Sequence, residues 1–507
     1  MLEIKLLCLL ILSCSASLFA QKATLKIQLE NTATKNITLS QPKLYLSRNF
    51  LNQGYREIAL DDTKMTIQTF NFVEPQFIDI SAYDNLTKKS LKYSLYISPG
   101  DELNIIADFS KEELGLEVTG KGSNNNQPLL NRKFDIDTEP FIKDTLPTRI
   151  IDEINRNYML KKANFEAYQQ KYLPSKELVR DWSLKLKYAK MYDYYDFMSS
   201  MKYNIGEAYY RNIIAWNKVQ DSLFTTKDLN NDNALRVREY LQLIGRFLLR
   251  TKEELWKQSQ DNPVWFYKEF YQSDTSSGKK IFQEDMSNDF KERIISKYFT
   301  GKTAAYLYAV LLDEALKDAD PKNLSLIFNR FKDKFPKDEY VNLFANNVDE
   351  VVKKQKQALT DKMVFVKNNG EDLITFDEIL ALVKGKTILL DMWGTWCAPC
   401  REDMEKHGKK IKTYFKDKGL DYLYVANFDT NNRKTWKELI SYFELEGTHI
   451  LANNQLTTDI MSKTKGQGYP TYIIIKKDAT FELLEGGLPQ DITKLFDHID
   501  ELLASQK

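Results

Sequence analysis

Two cysteines three residues apart carry the clearest chemistry in the sequence. Cys397 and Cys400 lie in the string WGTWCAPCREDM, which spans residues 393–404. An apolar strand pattern precedes the string and a helix is predicted to follow it. A cysteine at such a junction faces unpaired backbone N–H groups and the positive end of the helix dipole, and both lower its pKa. We therefore predict that Cys397 attacks a partner disulfide and that Cys400 resolves the mixed disulfide.

Other uses of a CxxC pair fit the sequence poorly. Zinc needs two further ligands, and the three histidines have no ligand spacing: His407, His449 and His498. Covalent haem attachment needs a histidine directly after the second cysteine, where this chain has Arg401. A permanently closed structural disulfide is the remaining alternative, and it stabilises little because its loop is so short. We predict no metal and no cofactor, only a redox-active disulfide.

The first twenty residues have the pattern of a secretory leader. Lys5 is followed by the apolar run Leu6–Leu12, and Ala20 fits a cleavage site. In the alternative interpretation, Cys14 lies in a lipoprotein box and carries a lipid anchor. Both cleavage after Ala20 and lipidation of Cys14 predict an exported protein of the periplasm or cell envelope, soluble in the first case and lipid-anchored in the second. Its remaining thiols then lie in an oxidising compartment.

Composition excludes several broad classes. With 72 basic and 71 acidic residues the formal net charge is +1, so binding of nucleic acid through the overall charge of the protein is not expected. The mean hydropathy of −0.48 argues against several membrane spans. A chain of 507 residues that is 43% hydrophobic can form about two to four domains.

The chain is predicted to have four segments with different periodicity. A leader covers residues 1–20, and a β-rich, sandwich-like domain with alternating apolar residues covers 21–125. The turn signal at Ser98–Asp101 predicts a hairpin between its flanking strands. An all-α region follows over 126–358, and an α/β segment covers 359–507.

Aromatic residues recur along the helical region. Two interpretations are open for them, a packed core or a groove for peptide or glycan, and the core is the simpler. The residues are Tyr188, Tyr192, Tyr194, Tyr195, Trp216 and Trp256.

The last segment alternates strands and helices. Apolar runs predict strands at 387–393, 420–426 and 471–475, and one apolar face predicts a closing helix over 492–503. This order is typical of a sheet with helices on both faces.

Two motifs in this segment resemble the thioredoxin superfamily. Asp391–Cys400 (DMWGTWCAPC) is similar to its active-site strand and loop, and Gly468–Thr471 (GYPT) to its cis-proline loop. With Arg401–Asp403 added, the longer run resembles the TlpA/ResA type of exported thiol–disulfide oxidoreductases. The resemblance covers about 361–507. The preceding β-rich segment resembles the domain found before such sequences in Bacteroidetes-type bacteria.

The resemblance implies roles for several residues. Asp391 would be the buried proton acceptor for the resolving cysteine, although a locally hydrogen-bonded strand residue is the alternative. The residues implied to contact substrate are Trp396, Pro399, Tyr469 and Pro470. Trp393 would line the same site or belong to the core.

The sequence also departs from the family pattern. Asp403 stands where the TlpA/ResA type often has glutamate, and Glu405 where it usually has a kink-forming proline, so a straighter helix is expected. Arg401 and His407 are interpreted as solvated residues of that helix, and a proton shuttle is the alternative for His407.

These features predict an exported protein-disulfide reductase. Ala398–Pro399 between the cysteines resembles the dipeptide of reducing thioredoxins and lacks the histidine of strong oxidants. The expected partners are disulfide-bonded clients, such as apocytochrome c during cytochrome c maturation, and a membrane thiol-electron donor. The alternative is a client-binding or scaffold protein whose CxxC is a redox sensor or latch. A peroxidase is not favoured, because Thr395 precedes Cys397 by two residues rather than three.

Overall fold

The computed structural model describes residues 21–40, 55–111, 115–484, 486–489 and 491–505. The predicted leader, including Cys14, lies outside the described residues. Two compact units are present, one ending at Glu253 and one beginning at Glu254. Strands, then helices, then an α/β sheet follow each other along the chain, which confirms the predicted fold class. The exact four-segment division stays a prediction.

The N-terminal segment is a β-sandwich. One sheet has the strand order β4-β1-β7-β8 and the other β3-β2-β5-β6. Alternating side chains such as Leu25, Ile27, Ile78 and Leu103 form the core between them, as the period-two pattern predicts. The strands are β1 (Gln21–Glu30), β2 (Asn36–Ser40), β3 (Tyr55–Ala59), β4 (Met65–Phe72), β5 (Gln76–Tyr83), β6 (Ser90–Ile97), β7 (Glu102–Asp108) and β8 (Gly115–Lys121).

The hairpin predicted around Ser98–Asp101 is wrong. β6 pairs with β5 in one sheet, whereas β7 pairs in parallel with β1 in the other. The turn itself exists, because the amide of Asp101 donates to the carbonyl of Ser98, but it crosses between the two sheets. Alternation and turn residues reveal strands and their ends, but not which strand each one pairs with.

Helices follow in the same unit. Tyr188, Tyr194, Tyr195 and Trp216 are all buried, so the recurring aromatics here belong mainly to a packed core. The helices are α1 (Thr148–Tyr172), α2 (Lys176–Asn204), α3 (Glu207–Arg211), α4 (Ile213–Leu223) and α5 (Arg238–Asp261), within which the division between the units falls.

The second unit begins with further helices. An Ala- and Leu-rich run forms α9, whose inner side chains such as Ala305, Leu307 and Leu312 are buried. The helices are α6 (Pro263–Tyr271), α7 (Thr275–Glu284), α8 (Asn288–Tyr298), α9 (Gly301–Lys317), α10 (Leu324–Lys334) and α11 (Glu339–Gln355).

The α/β segment forms a six-stranded sheet of order β14-β13-β10-β11-β12-β9. β10 lies between β11, to which it is parallel, and β13, to which it is antiparallel. The strands are β9 (Met363–Phe365), β10 (Thr387–Trp393), β11 (Leu420–Asn427), β12 (Gly447–Ala452), β13 (Thr471–Ile475) and β14 (Phe481–Leu483). The helices are α12 (Phe376–Leu382), α13 (Ala398–Asp403), α14 (Lys409–Tyr414), α15 (Arg433–Tyr442), α16 (Asn454–Thr464) and α17 (Thr493–Ser505).

Every residue of β10 is buried, as its continuous apolar run predicts for a central strand. β12 and α16 were not predicted from the sequence, although β12 completes the sheet and α16 packs beside it. Within the described part of the chain, no helix is long and apolar enough to cross a membrane.

Candidate active site

The two cysteines lie where β10 passes into α13. Cys397 is the residue before the helix, and its Sγ accepts a hydrogen bond from the amide of Cys400 at 3.2 Å. The two sulfurs form a disulfide, with the Cα atoms 5.3 Å apart. Pro399 occupies the first turn of α13, where no intrahelical partner for an N–H is needed. The chain therefore folds the pair into the strand-to-helix junction that the sequence predicts.

Asp391 is buried in β10, two residues before the strand ends at Trp393. Its side chain is only 5% exposed, and its Oδ1 has no hydrogen-bond partner among the described residues. Burial raises the pKa of Asp391 well above its usual value, and the nearby Asp403 carboxylate raises it further. The carboxyl is therefore a proton-binding group at higher pH than an exposed aspartate.

A small cavity connects Asp391 with Asp403. Its volume is about 30 Å³, enough for one water molecule, and Tyr424 and Tyr472 also line it. The hydroxyl of Tyr472 donates to Oδ2 of Asp403 at 3.3 Å. Burial is the main cause that raises the pKa of Asp403. The fold thus brings two carboxyls that can hold a proton to the same cavity.

The helix after the cysteines is not regular. A π-helical turn spans Met404–Gly408 between α13 and α14, so the straighter helix expected from Glu405 is not found. His407 lies in this turn and is half-buried rather than fully solvated. Burial lowers the pKa of His407, while the Asp403 carboxylate opposes that shift.

Arg401 is buried, which corrects its interpretation as a solvated residue. Only 6% of it is exposed. Its Nη1 donates to the carbonyl of Thr395 at 2.6 Å, and its Nε donates to the carbonyl of Asp318 at 3.1 Å. The local pattern could not predict this burial, because the partner at Asp318 comes from the end of α9, 83 residues earlier.

A second loop holds the CxxC loop in place. The buried Asp429 accepts hydrogen bonds from the Thr395 amide at 2.7 Å and from the Thr395 hydroxyl at 2.5 Å. The indole of Trp396 donates to the carbonyl of Asn427 at 3.0 Å. Asn427 and Asp429 were not predicted from the sequence as residues of the site. They could have been, because they lie at the carboxyl end of β11, next to β10, where parallel sheets position functional loops.

Aromatic side chains surround the exposed side of the loop. Trp396 is 49% exposed and Phe428 is 53% exposed. Tyr469 lies 5.4 Å from Trp396 and 6.3 Å from Phe428, ring centre to ring centre. Trp393, in contrast, is fully buried and belongs to the core. We call Trp396, Phe428 and Tyr469 the aromatic rim; Phe428 was not identified from the sequence.

Pro470 follows the rim at the start of β13. The Tyr469–Pro470 peptide bond is cis, the geometry that the resemblance implies. Strand register pairs Met392 with Thr471, so Pro470 stands one residue beyond the last pair, toward the CxxC loop. The roles of Trp396, Pro399, Tyr469 and Pro470 in binding stay predictions. No cluster of three or more potential metal-ligating residues occurs in the described ranges.

Fold and site together define a thioredoxin-like domain at the C-terminal end of the chain. Residues 385–481 match the family of thioredoxin-like sequences. This range includes the CxxC pair, Asp391 and Pro470.

Named relatives and a solved structure each match a part of the chain. A thioredoxin-like protein, YneN, of Bacillus subtilis is 33% identical over 111 residues, covering 22% of this chain and 56% of that protein. The thiol-disulfide oxidoreductase ResA of Bacillus cereus is 28% identical over 121 residues, covering 22% of this chain and 66% of that protein. The chain thus spans little more than half of the first relative. The thioredoxin domain of a thiol-disulfide oxidoreductase from Bacteroides vulgatus aligns at 22% identity and a TM-score of 0.21, covering 24% of this chain and 83% of that one.

Proposed function

We propose that the protein is an exported thiol–disulfide oxidoreductase that reduces disulfides in envelope proteins. The observation that carries the proposal is the Cys397–Cys400 disulfide at the start of α13, preceded in β10 by the buried, proton-binding Asp391. Matches to proteins named as thioredoxin-like or as thiol-disulfide oxidoreductases support the reaction class.

The reaction begins from the reduced pair. The Cys397 thiolate attacks one sulfur of the client disulfide, the client S–S bond breaks, and the first client thiolate leaves and takes up a proton. Asp391 accepts the proton of Cys400, and the Cys400 sulfur then attacks Cys397. The mixed disulfide breaks, the second client thiolate leaves, and the Cys397–Cys400 disulfide forms. The client gains two electrons and the protein loses two.

Client binding is assigned to the side of the loop that carries the aromatic rim. Trp396 is 49% exposed and the half-buried Tyr469 packs against it. Pro399 lies between the two cysteines, and Pro470 stands at the start of β13, next to the end of β10. A client segment in extended conformation can place its half-cystine over Cys397 while apolar neighbours contact the rim.

The direction of transfer follows from the dipeptide between the cysteines. Ala398–Pro399 supplies no histidine to stabilise the thiolate. A less stabilised thiolate makes the pair a better reductant, because strong thiolate stabilisation is what makes an oxidant. The oxidised protein then needs a membrane thiol-electron donor, which returns two electrons after each cycle.

Export and the finer family type are part of the proposal. The leader pattern of residues 1–20 supports export to the periplasm or envelope, by cleavage after Ala20 or by lipidation of Cys14. The CREDM run supports a TlpA/ResA-type enzyme, and the preceding β-sandwich supports the Bacteroidetes-type arrangement. Disulfide-bonded envelope proteins, including apocytochrome c, are the proposed clients.

Single-cysteine variants test the reaction. We expect Cys400→Ser to trap a mixed disulfide between Cys397 and a disulfide-bonded client protein, visible as a larger species that dithiothreitol releases. Cys397→Ser is the matched control and should trap none. Activity that survives replacement of both cysteines would favour the alternative, a client-binding or scaffold protein.

A further inference from the structure

Arg401 joins the redox loop to the helical part of its own unit. All three nitrogens of its guanidinium group face a partner. Nη1 donates to the Thr395 carbonyl at 2.6 Å and Nε to the Asp318 carbonyl at 3.1 Å, while Nη2 lies 3.9 Å from Oδ2 of Asp320. A buried arginine with this many partners holds its position more firmly than a solvated one.

The partners on the helical side are negative. Asp318 is the residue that ends the 17-residue helix α9, so its carbonyl belongs to the negative end of a helix dipole. The Asp320 side chain is 15% exposed and adds a formal charge. The turn between α9 and α10 therefore supplies the counter-charge for Arg401.

The partner on the redox side, Thr395, belongs to the same loop as the disulfide. Thr395 precedes Cys397 by two residues, and Arg401 follows Cys397 by one helical turn. The Arg401 amide also donates to the Cys397 carbonyl at 3.2 Å. The guanidinium thus contacts the backbone of the CxxC loop two residues before Cys397. A positive charge in this loop favours a thiolate at Cys397, and the counter-charge on Asp320 weakens that effect.

We propose that Arg401 is a positioning residue through which the α9–α10 turn sets the reduction equilibrium of the Cys397–Cys400 pair, with Asp320 as its counter-charge. The inference rests on the proposed redox function and adds a role for helices that precede the thioredoxin-like domain. Reduction of the disulfide takes two electrons and two protons, or one proton when Cys397 remains a thiolate. Any charge that favours this thiolate therefore favours reduction.

The other charged side chains near Arg401 and Asp320 are not replaced in the experiment described below. The Asp318 carboxyl interacts with Arg401 itself and with Lys317, Lys291 and Glu402. Asp429, which holds Thr395, faces Lys322.

Two substitutions that remove opposite charges test the proposal. Arg401→Gln keeps hydrogen-bond donors but removes the positive charge; we expect reduction by glutathione to become about tenfold less favourable, about 30 mV more negative. Asp320→Asn removes the counter-charge; we expect reduction to become about threefold more favourable. The pKa of Cys397, followed by thiolate absorbance in the full-length reduced protein, should rise in the first variant and fall in the second.

Three further variants separate charge from structure. Arg401→Lys keeps the positive charge but loses the planar guanidinium group, so we expect a lower free energy of unfolding. The reduction equilibrium of the cysteine pair should stay within about twofold of wild type. Lys354→Gln breaks the ion pair with Glu405, another contact between the helices and the domain. Arg433→Gln breaks an exposed pair with Glu371. Both should leave the equilibrium unchanged.

The outcomes are distinguishable. If Arg401→Gln and Asp320→Asn shift the reduction equilibrium in the same direction, the proposal is overturned. A merely structural contact predicts this result, because both variants would then loosen the loop in the same way. If Arg401→Gln does not fold, Asp320→Asn decides alone, and an unchanged equilibrium contradicts the inference. A wild-type disulfide that cannot be cycled at all would instead contradict the proposed function.

Discussion

Single buried side chains decide the chemistry of this site. Asp391 has no hydrogen-bond partner at Oδ1 among the described residues, and a buried carboxylate without one is costly in its charged form. Its position in the apolar strand β10 was predictable, since the residue stands in an otherwise apolar run. The neighbouring Asp403 and the shared cavity depend on how the π-helical turn packs, which the sequence does not reveal.

Asp391→Asn should stabilise the oxidised protein and slow its reaction. In the unfolded chain Asp391 ionises near its usual pKa of about 3.9, whereas its pKa in the folded protein is raised. The free energy of unfolding therefore falls as pH rises between these two values, because the unfolded chain gives up this proton first. We expect the free energy of unfolding to increase by about 2 kcal/mol at pH 7 and to change little near pH 3. Urea unfolding at the two pH values measures this, and an equal gain at both would contradict the assignment.

Phe428 is held in a conformation that favours glycine. Its φ is 59°, while its neighbours Asn427 and Asp429 are buried and hydrogen-bonded. A bulky residue in this region costs about 1–2 kcal/mol and persists where the surrounding structure fixes it, often at functional sites.

Phe428→Gly should therefore raise stability by about 1 kcal/mol. The same change should slow reduction of peptide disulfides flanked by aromatic residues several-fold, with little effect on a small disulfide such as oxidised glutathione. Asp417→Gly is the matched control, since Asp417 also has a positive φ of 62° but lies in the turn before β11. Equal losses on both substrates would show that Phe428 does not contact the client.

At the scale of elements, the loops after β10 and β11 form one unit. Apolar runs predicted β10, β11 and β13, whose residues are buried throughout in β10 and β13 and from Leu423 onward in β11. It did not predict the partners of β6 and β7, or the helical-side partner of Arg401. Those depend on contacts between residues far apart in the chain, and such contacts leave no local pattern.

Asp429→Ala should loosen the CxxC loop. The substitution leaves the buried amide and hydroxyl of Thr395 without their acceptor, and we expect a loss of about 2–3 kcal/mol in stability. Amide hydrogen exchange at Thr395 should become faster than in wild type. Asp421→Ala, which removes an exposed carboxylate near the start of β11 that is paired with Lys386, should change neither quantity. Unchanged exchange in Asp429→Ala would mean that other contacts hold the loop.

At the scale of the whole molecule, each compact unit has its own core. In the first unit the hydroxyl of the buried Tyr96 donates to Oδ2 of the buried Asp181 at 2.8 Å, linking the sandwich to α2. This contact could not be predicted from the sequence, because Asp181 looks there like a polar residue on the exposed face of a helix. Periodicity predicted the order of β-rich, helical and α/β segments, but it could not predict the polar contacts that unite them.

Tyr96→Phe should destabilise the first unit by about 1–2 kcal/mol, because Asp181 loses a buried donor. The loss should appear in urea unfolding followed by circular dichroism. The reduction equilibrium of the cysteine pair should stay unchanged. Tyr83→Phe, at a side chain that is 51% exposed, is the control and should have little effect. A shift in the reduction equilibrium of Tyr96→Phe would show that the sandwich influences the redox site.

The most direct test of the central claim is the reduction potential of the Cys397–Cys400 pair in the purified full-length protein, titrated against dithiothreitol and glutathione. Our account predicts a reductase, with a potential near or below about −250 mV. A potential near about −120 mV would make the protein an oxidant and reverse the proposed direction. A pair that does not cycle would contradict the claim altogether.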